Sequence, residues 1–444
     1  MFDSLLIANR GEIARRVIRS ARALGIRTVA VHSEADAGAL HVRDADEAVA
    51  IGGPRPADSY LNAVAILAAA ATTGAQAVHP GYGFLSENPG FARAVEDAGL
   101  IWVGPSAESI AAVGDKVSAR NLMAAIGVPV LGGSEEPLKD AGEALAAAQV
   151  IGYPVIVKAS AGGGGIGMRI AADDAALGTA FEATRGQAER FFGDGGILVE
   201  RYLPDARHVE VQILGLADGR VVALGERECS VQRRYQKVVE ESPSPAVDDA
   251  LRARMLTAAV RAGESIGYRS AGTVECLVSD GDFVFLEMNA RLQVEHPVTE
   301  LVTGIDLVAA QLRIAAGAEP GFDPDAVVAD GHAIELRVYA EDPKRFLPSP
   351  GTIAEWVEPA GEGIRVDAGY TCGDEVTPFY DPLLAKLSVW GPDRDAAVAR
   401  GQDAVAAFRI AGPKTNLPFL AEVLAHESFR SGAYTTRLVD QMRA

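Results

Sequence analysis

The sequence predicts a protein of mixed α/β and α+β class that is divided into several domains. The chain has 444 residues, which is more than one compact domain usually holds. An apolar strand, a helix and a second apolar strand follow one another over residues 4–32, an order typical of a parallel sheet. Farther along, residues 273–278 and 283–289 form two strand patterns joined by a short turn, which predicts an antiparallel pair.

Composition and charge exclude several classes of protein. No run of about 18 apolar residues is present, so no membrane span is expected, and the N-terminus lacks the basic segment of a signal peptide. The widely separated Cys229, Cys276 and Cys372 disfavour a disulfide framework or a structural zinc site, so we expect a cytoplasmic protein. A formal net charge of −19 disfavours nucleic acid and anionic membranes as partners. Any anionic ligand must therefore bind at a local basic patch.

The first domain is expected to end near residue 112. Its predicted strands cover residues 4–8, 27–32, 77–79 and 100–103. The helix after the first strand ends near Gly25, and this unit lacks the G-x-G-x-x-G pattern of a dinucleotide site. The glycine-punctuated loop H-P-G-Y-G-F-L-S-E-N (79–88) is too specific for an ordinary turn and marks a functional segment.

Four consecutive glycines, Gly162 to Gly165, follow a strand that ends at Lys158. Glycines expose backbone N–H groups without side-chain obstruction, and a lysine supplies a positive charge for phosphate oxygens. The segment predicts a phosphate-binding loop, although its spacing differs from that of the P-loop. A flexible linker is the alternative. The strand at 197–203 is consistent with a hinge whose backbone binds adenine.

The strand over 283–289 ends in a pair of hard oxygen ligands. Because successive side chains on a strand alternate, Glu287 and Asn289 are expected to share one face. Phe283 and Phe285 are expected on that same face. A carboxylate followed two residues later by an amide oxygen suits Mg²⁺ or Mn²⁺.

The segment after this strand adds a cation and a possible base. If the chain stays extended beyond Asn289, the side chains of Arg291, Gln293 and Glu295 continue on the same side. A metal, an anion-binding guanidinium and a carboxylate base would then lie within one short segment.

Glu275 can join the metal pair only if the turn before Phe283 has the right length. A two-residue loop (280–281) places Glu275 opposite Leu286, facing away from Glu287. A three-residue loop with a left-handed bulge at Gly281 places it diagonal to Glu287 on the same face. The metal interpretation requires the second geometry, and a solvated hairpin with outward acids is the alternative.

Two further segments carry candidate polar groups. Residues 226–241 contain Arg227, Arg233, Arg234 and Lys237. Charge runs are usually solvated, but this one lies between predicted strands, so we expect an anion-binding role for some members. A third domain begins near Gly331, where residues 332–339 alternate in polarity and place Glu335 and Arg337 on one face.

Taken together, these motifs resemble the biotin carboxylase component of acyl-CoA carboxylases, a family of ATP-grasp enzymes. The resemblance covers essentially the whole chain. It rests on the segments I-A-N-R-G-E-I-A (7–14), 79–88, G-D-K-V-S-A (114–119), the glycine loop, Q-R-R-Y-Q-K-V-V-E-E (232–241), E-M-N-A-R-L-Q-V-E-H-P-V-T-E (287–300) and F-L-P-S-P-G (346–351).

The resemblance implies three domains and a two-step reaction. It implies a Rossmann-like parallel sheet (1–112), a central ATP-grasp domain (113–329) with a mobile glycine-rich lid (130–203), and a C-terminal α+β domain (330–444). Bicarbonate attacks the γ-phosphate of ATP, with Mg²⁺ or Mn²⁺ as cofactor, and the resulting carboxyphosphate yields the CO₂ that carboxylates N1′ of biotin. A homodimer is implied, with biotin arriving on a separate biotin carboxyl carrier protein and a separate carboxyltransferase subunit completing the reaction.

The resemblance also assigns site residues by their position in the motifs. Nucleotide-binding positions are Lys116, Lys158, Gly163, Gly164, Gly165, Met168, Glu200, Arg201, Leu203, His208, Gln232, Tyr235 and Leu277, together with Glu275 and Glu287. Metal positions are Glu275, Glu287 and Asn289. Substrate positions are Lys237, Arg291, Gln293, Val294, Glu295 and Arg337, with Tyr82 and Asp381; of these, Lys237, Arg291, Glu295 (the base) and Arg337 are catalytic.

General chemistry agrees with most of these roles. Phosphoryl transfer depends on positioning and charge neutralisation, which lysines, glycine amides and a carboxylate-held metal supply. A carboxylate beside a guanidinium normally has a lowered pKa, so the role of Glu295 as a base does not follow from its position beside Arg291 alone. Ala161, Ile166 and Tyr235 stand where the family usually has glycine, arginine and histidine, and these departures concern nucleotide affinity and the lid. Another ATP-grasp ligase and a non-catalytic nucleotide-binding regulator are the competing functions.

Overall fold

A computed structural model describes residues 1–160, 168–192 and 195–443. The predicted phosphate-binding glycines Gly163, Gly164 and Gly165 therefore lie outside the described residues, as do Ala161 and Ile166.

The N-terminal part forms the predicted parallel sheet. Its strands are β1 (Ser4–Ile7), β2 (Arg27–Ser33), β3 (Glu47–Gly52), β4 (Ala77–His79) and β5 (Ile101–Trp102), in the spatial order β3-β2-β1-β4-β5. The helices are α1 (Gly11–Ala23), α2 (Leu40–Asp44), α3 (Ala63–Thr73), α4 (Pro89–Asp97), α5 (Ala107–Gly114) and α6 (Lys116–Ala125). Leu5, Leu6 and Ile7 are fully buried, as expected for a strand covered on both faces.

The glycine-punctuated loop after β4 packs against the start of α1. Asn9 donates from Nδ2 to the carbonyls of Pro80 and Tyr82, both at 2.7 Å. Gly81 has a φ of +63°, and a Cβ there would lie 2.8 Å from the Asn9 amide nitrogen. Only glycine fits this close approach, so the two N-terminal motifs form one structural unit.

A small three-stranded antiparallel sheet follows. It contains β6 (Val155–Ala159), β7 (Arg169–Ala171) and β8 (Ile197–Arg201) in the order β7-β6-β8, and it packs against α7 (Ala141–Ile151) and α8 (Asp174–Phe192). Its core consists of small and branched apolar side chains such as Val155, Val157 and Val199.

One eight-stranded antiparallel sheet forms the centre of the molecule. Its strands lie in the order β13 (Asp282–Asn289), β12 (Ser270–Ser279), β9 (Arg207–Gly215), β10 (Val221–Arg233), β11 (Gln236–Ser242), β14 (His332–Tyr339), β19 (Leu383–Gly391) and β17 (Ile364–Ala368). The domain boundary predicted near residue 330 falls in the connection before β14, yet the sheet continues from β11 to β14 without a gap.

Helices and short strands complete the central and C-terminal parts. The helices are α9 (Asp249–Ser265), α10 (His296–Thr303), α11 (Leu307–Ala315), α12 (Arg394–Ala407), α13 (Leu417–Ala425), α14 (Glu427–Arg430) and α15 (Leu438–Arg443). Two-stranded pairs join β15 (Gly351–Thr352) to β18 (Glu375–Val376) and β16 (Glu355–Val357) to β20 (Arg409–Ala411). Among the described residues, no helix is both long and apolar enough to cross a bilayer.

The hairpin of β12 and β13 differs from both predicted geometries. Its loop has two residues, with Ser279 paired to Asp282 and positive φ at Asp280 and Gly281. The register then shifts by one residue, because Cys276 pairs with Phe285 whereas Glu275 pairs with Glu287. Leu286 is the extra residue, and the three-residue loop that we expected to be necessary is wrong.

Because of this bulge, odd-numbered side chains of β13 lie on one face before Leu286 and on the opposite face after it. Phe283 and Phe285 lie in the apolar core together with Met288, whereas Asn289 reaches Glu275 on the polar face, with 3.0 Å between Nδ2 and Oε1. The prediction that the two phenylalanines share a face with Glu287 and Asn289 is therefore wrong. A bulge inserts one residue and so reverses the alternation that follows it.

Candidate active site

The polar face of the central sheet gathers acids from three neighbouring strands. Glu275 on β12 lies opposite Glu210 on β9 and opposite Glu287 on β13. His208 Nε2 lies 3.1 Å from Glu275 Oε2. Burial tends to lower the pKa of His208, but Glu275 outweighs it and raises that pKa above its usual value.

Lys237 on β11 is the cation at the centre of these acids. Its Nζ lies 2.6 Å from Glu210, 2.8 Å from Glu275 and 2.7 Å from Glu295. Burial acts to lower the pKa of Lys237, but the three carboxylates hold it well above the usual value. The ammonium group therefore stays charged and links Glu210 and Glu275 on the sheet to Glu295 in the segment after β13.

The segment after β13 turns rather than staying extended, yet it delivers its side chains to the same place. The backbone bends at Ala290 and Arg291 and again at Val294 and Glu295. Arg291 donates to Gln293 Oε1 at 2.6 Å and to Asn289 Oδ1 at 2.9 Å, and Gln293 donates to Glu275 Oε1 at 3.1 Å. The expected extended conformation is wrong, whereas the expected proximity is present.

Glu295 is fully buried between two cations. It lies 2.7 Å from Lys237 and 3.0 Å from Arg337 Nη2. Burial alone would raise its pKa, but Lys237 and Arg337 outweigh burial and hold the pKa well below the usual value. The carboxylate is ionised and, in this arrangement, a weak base.

Three oxygen-bearing side chains fit a hard divalent cation. Glu275, Glu287 and Asn289 lie next to one another on β12 and β13. Burial and the neighbouring Glu275 raise the pKa of Glu287, and its nearest cation, Lys116, is 3.9 Å away. An excess of negative charge on oxygen donors is what Mg²⁺ or Mn²⁺ neutralises, so these residues match such an ion.

Most of the described positions assigned to the nucleotide are divided between the small sheet and the central sheet. Lys158 pairs with Glu200 at 2.6 Å, and Leu277 lies opposite His208. Gln232 donates to the carbonyl of Cys229 at 2.9 Å, and Tyr235 is half-exposed at the β10–β11 turn.

Three assigned nucleotide positions lie beside the small sheet rather than in contact with the acid cluster. The guanidinium of Arg201 instead donates to the carbonyl of Ile151 at the end of α7, at 3.3 Å. Met168 and Leu203 are partly buried beside β7 and β8. Their role in holding a nucleotide stays a prediction.

A cavity of about 410 Å³ opens on the other side of Arg337. Four of the assigned substrate positions line it, namely Tyr82, Val294, Arg337 and Asp381. The Tyr82 hydroxyl donates to Glu12. Arg337 Nε is buried and lacks a hydrogen-bond partner among the described residues, so its capacity to donate a hydrogen bond is unused in this structure.

The basic segment 226–241 divides into three kinds of residue. Arg227 is fully buried and donates to Glu210 at 2.6 Å and to Gln212 at 2.7 Å. Arg233 pairs with Glu341 at 2.5 Å, and Arg234 is exposed. Of the four cations, only Lys237 touches the residues of the proposed metal and base sites directly.

Sequence reasoning missed several buried partners of the site. Glu210 lies two residues after His208 on the same strand face, so the alternation of 208–213 was a signal for it. Glu12 and Lys386, which lie 3.2 Å apart behind the cavity, gave no local signal because their proximity arises only when α1 packs against β19.

The sheet topology is that of an ATP-grasp enzyme, with an acid cluster on the central sheet and a cavity beside Arg337. Family models match along the chain: "Biotin carboxylase, N-terminal domain" at residues 1–110, "Carbamoyl-phosphate synthase L chain, ATP binding domain" at 115–320, and "Biotin carboxylase C-terminal domain" at 335–441.

Relatives match over almost their whole length. Biotin carboxylase of Halalkalibacterium halodurans is 52% identical over 441 residues, covering 99% of this chain and 97% of the relative. A pyruvate carboxylase subunit from Methanothermobacter thermautotrophicus is 50% identical, covering 100% of this chain and 90% of the relative. The crystal structure of the Campylobacter jejuni biotin carboxylase–β-γ-ATP complex superposes with a TM-score of 0.97 at 42% identity and covers 99% of both chains.

A dimer structure also matches. It is the biotin carboxylase domain dimer of Hydrogenobacter thermophilus 2-oxoglutarate carboxylase with MgADP, ADP and bicarbonate, with a TM-score of 0.96 at 46% identity, covering 99% of this chain and 98% of that chain. The chain belongs to the biotin carboxylase family.

Proposed function

We propose that this chain uses MgATP to activate bicarbonate and then carboxylates N1′ of biotin. The observation that carries this proposal is Arg337, which pairs with Glu295 on one side and lines the 410 Å³ cavity on the other. One cation thereby joins the acid cluster to a space of suitable size for a small bicyclic ligand.

In the first step, a bicarbonate oxygen forms a bond to the γ-phosphorus while the bond to ADP breaks. The product is carboxyphosphate. Lys116 and Lys158 are the cations that face the phosphates, and Glu275, Glu287 and Asn289 are the residues that would hold the divalent ion. That ion neutralises charge on the phosphate oxygens when it is bound.

The low proton affinity of Glu295 changes when bicarbonate arrives. Bicarbonate is an anion and is attracted to the same cations, Lys237 and Arg337, that now pair with Glu295. Each cation that turns towards bicarbonate stops stabilising the Glu295 carboxylate, and a new negative charge lies nearby. Both changes raise the pKa of Glu295, which then accepts the bicarbonate proton.

In the second step, carboxyphosphate separates into CO₂ and phosphate next to the biotin ring. The ureido N1′ gives its proton to the released phosphate, which transiently places negative charge on the ureido oxygen, and N1′ then forms the bond to CO₂. Arg337 is a permanent cation with a free buried Nε donor, so it stabilises that oxyanion without competing for the proton.

The partners that we propose are a biotin-bearing carrier and a carboxyltransferase on separate chains, with a second copy of this chain forming a homodimer. Relatives come from carboxylases of different acids, namely pyruvate carboxylase and 2-oxoglutarate carboxylase. Recovery of the biotinylated protein that binds this chain, followed by assay of its carboxyltransferase, identifies the acid.

Phosphate release from ATP is expected to depend on bicarbonate and to increase when free biotin is added. The reason is that both ligands face the same Arg337, next to the proposed phosphate and metal site. The measurement is a coupled phosphate assay with bicarbonate removed by degassing and biotin varied. Equal hydrolysis with and without both additives contradicts the proposal, and hydrolysis that needs bicarbonate but ignores biotin indicates a different ATP-grasp ligase.

A further inference from the structure

Two buried carboxyl groups lie directly opposite each other behind Arg337. Glu240 on β11 and Glu335 on β14 are cross-strand partners, and both are completely buried. Side chains of directly opposed residues have Cβ atoms about 5 Å apart. Among the described residues, Oε2 of Glu240 and Oε1 of Glu335 have no hydrogen-bond partner, and Oε1 of Glu240 has only its ion pair with Arg337.

The cations nearby are already engaged with other acids. Lys237 touches three other carboxylates, and Lys386 contacts Glu12 at 3.2 Å and the carbonyl of Val294 at 2.8 Å. Within the described part of the chain, Arg337 is the only cation paired with Glu240, with 2.5 Å between Nη2 and Oε1. Ser388 Oγ, at 3.2 Å, is the hydrogen-bond partner of Glu335 among the described residues.

Counting the groups that face the pair shows an excess of acid. The carboxyl groups are Glu12, Glu240, Glu295 and Glu335, and the cations are Lys237, Arg337 and Lys386. The neutral groups are the hydroxyls of Tyr82, Tyr339 and Ser388 and the thiol of Cys229. Lys237 also neutralises charge on the metal-side acids, so less than one full cation is left for each carboxyl group. Two desolvated carboxylates side by side cannot both be ionised at low cost.

We propose that Glu240 and Glu335 retain one proton between them and act as positioning residues, with Glu240 as the anionic anchor of Arg337 and Glu335 as its neutral partner. This inference rests on the proposed function, because it concerns how the pair holds Arg337, the residue that we propose faces biotin. The shared proton agrees with the direction of both pKa shifts. Burial raises the pKa of Glu240 to about 7 and holds the pKa of Glu335 well above its usual value.

The retained proton keeps Arg337 in place. With Glu335 neutral, a single negative charge on Glu240 balances Arg337 from behind while Glu295 contacts the same nitrogen from the front. If Glu335 also ionised, the added charge would draw the guanidinium and Lys386 away from the cavity. The pair therefore fixes the direction in which Arg337 presents its free donor.

Glu335→Gln tests the proton directly. The wild-type infrared spectrum, measured around neutral pH in D₂O, is expected to contain a protonated carboxyl band that is lost in Glu335→Gln. Glu241→Gln is the matched control, because Glu241 lies next to Glu240 on β11 and is equally buried. Burial acts to raise the pKa of Glu241, but His332 and Arg394 outweigh it and lower the pKa, so no such band is lost. An unchanged band in Glu335→Gln overturns the proposal.

Glu335→Gln is also expected to change how the free energy of unfolding depends on pH. Glutamate in the unfolded chain ionises near pH ~4.3, whereas the folded pair keeps its proton to higher pH. The native state then binds more protons, so the free energy of unfolding falls as pH rises from about 5 to about 7. Glu335→Gln is expected to flatten this fall relative to the wild type. An identical slope contradicts the retained proton.

Kinetics with Glu240→Gln test the positioning role. Loss of the anionic anchor is expected to raise the KM for free biotin by about 10- to 100-fold, the usual effect of removing a charged hydrogen bond, while the KM for ATP changes less than about twofold. Glu241→Gln loses stability without the selective change in biotin KM. Equal biotin KM values in the two variants refute the role of Glu240 as the anchor of Arg337.

If the wild type shows no biotin dependence, the proposed function fails, and the infrared band still decides whether the pair retains its proton.

Discussion

Glu295→Gln is expected to lower biotin carboxylation by about 10²–10⁴-fold, the usual contribution of a positioned base. Glutamine keeps the shape of the side chain, but it cannot take the bicarbonate proton. Lys237 and Arg337 donate to different oxygens of Glu295, so the single carbonyl oxygen of glutamine can accept from one of them only. The affinity for MgATP should change little, because Glu295 contacts Lys237 and Arg337 rather than the assigned phosphate-binding residues.

Glu287→Gln is the matched comparison. It removes one charge from the proposed metal ligands, so the Mg²⁺ concentration needed for half-maximal activity should rise before any other parameter changes. The measurements are carboxylation rates at saturating substrate, with ATP binding followed separately. A large loss of nucleotide affinity in Glu295→Gln would instead assign Glu295 to the metal site.

The fold was largely predictable because most of its strands have a recognisable pattern of polar and apolar residues in their own sequence. Continuous apolar runs gave the buried parallel strands, and polar–apolar alternation in 332–339 gave a strand with one polar face. The continuity of the central sheet across β11 and β14 was not predictable, because pairing between distant strands leaves no local signal.

The candidate site was predictable in composition but not in geometry. Motif positions named Glu275, Glu287 and Asn289 correctly as neighbours, yet the reason for their proximity was wrong. The sequence allows two simple hairpin registers, and the structure has the short loop plus a bulge at Leu286. A bulge depends on how β12 and β13 pack against the rest of the sheet, and its sequence Phe-Leu-Glu resembles any other strand.

The buried pairs behind the site were hidden for a related reason. The proximity of Glu240 to Glu335, and of Lys386 to Glu12, joins residues about 95 or more positions apart in the chain. In the sequence each of them is an ordinary charged residue, and such residues are usually solvated. Only the packing of strands shows which of them lose contact with water and must share charges or protons.

Lys237→Met is expected to lower the free energy of unfolding by about 3–5 kcal/mol when divalent cations are absent, the usual cost of removing one partner from buried ion pairs. Lys237 is the cation that Glu210, Glu275 and Glu295 share. Its loss leaves each of these carboxylates with one close basic partner, namely Arg227, His208 and Arg337 respectively. A divalent cation can then substitute for it, because oxygens of Glu210 and Glu275 lie within 4.8 Å of each other and of the His208 ring nitrogen. Added Mg²⁺ or Mn²⁺ should therefore restore part of the stability, measured as denaturant midpoints with and without a chelator.

The controls are Lys237→Arg, which keeps the charge, and Lys344→Met, which lies at an exposed position. A Lys237→Met protein as stable as the wild type without metal would show that the three acids remain hydrated or take up protons, and that Lys237 does not hold them together.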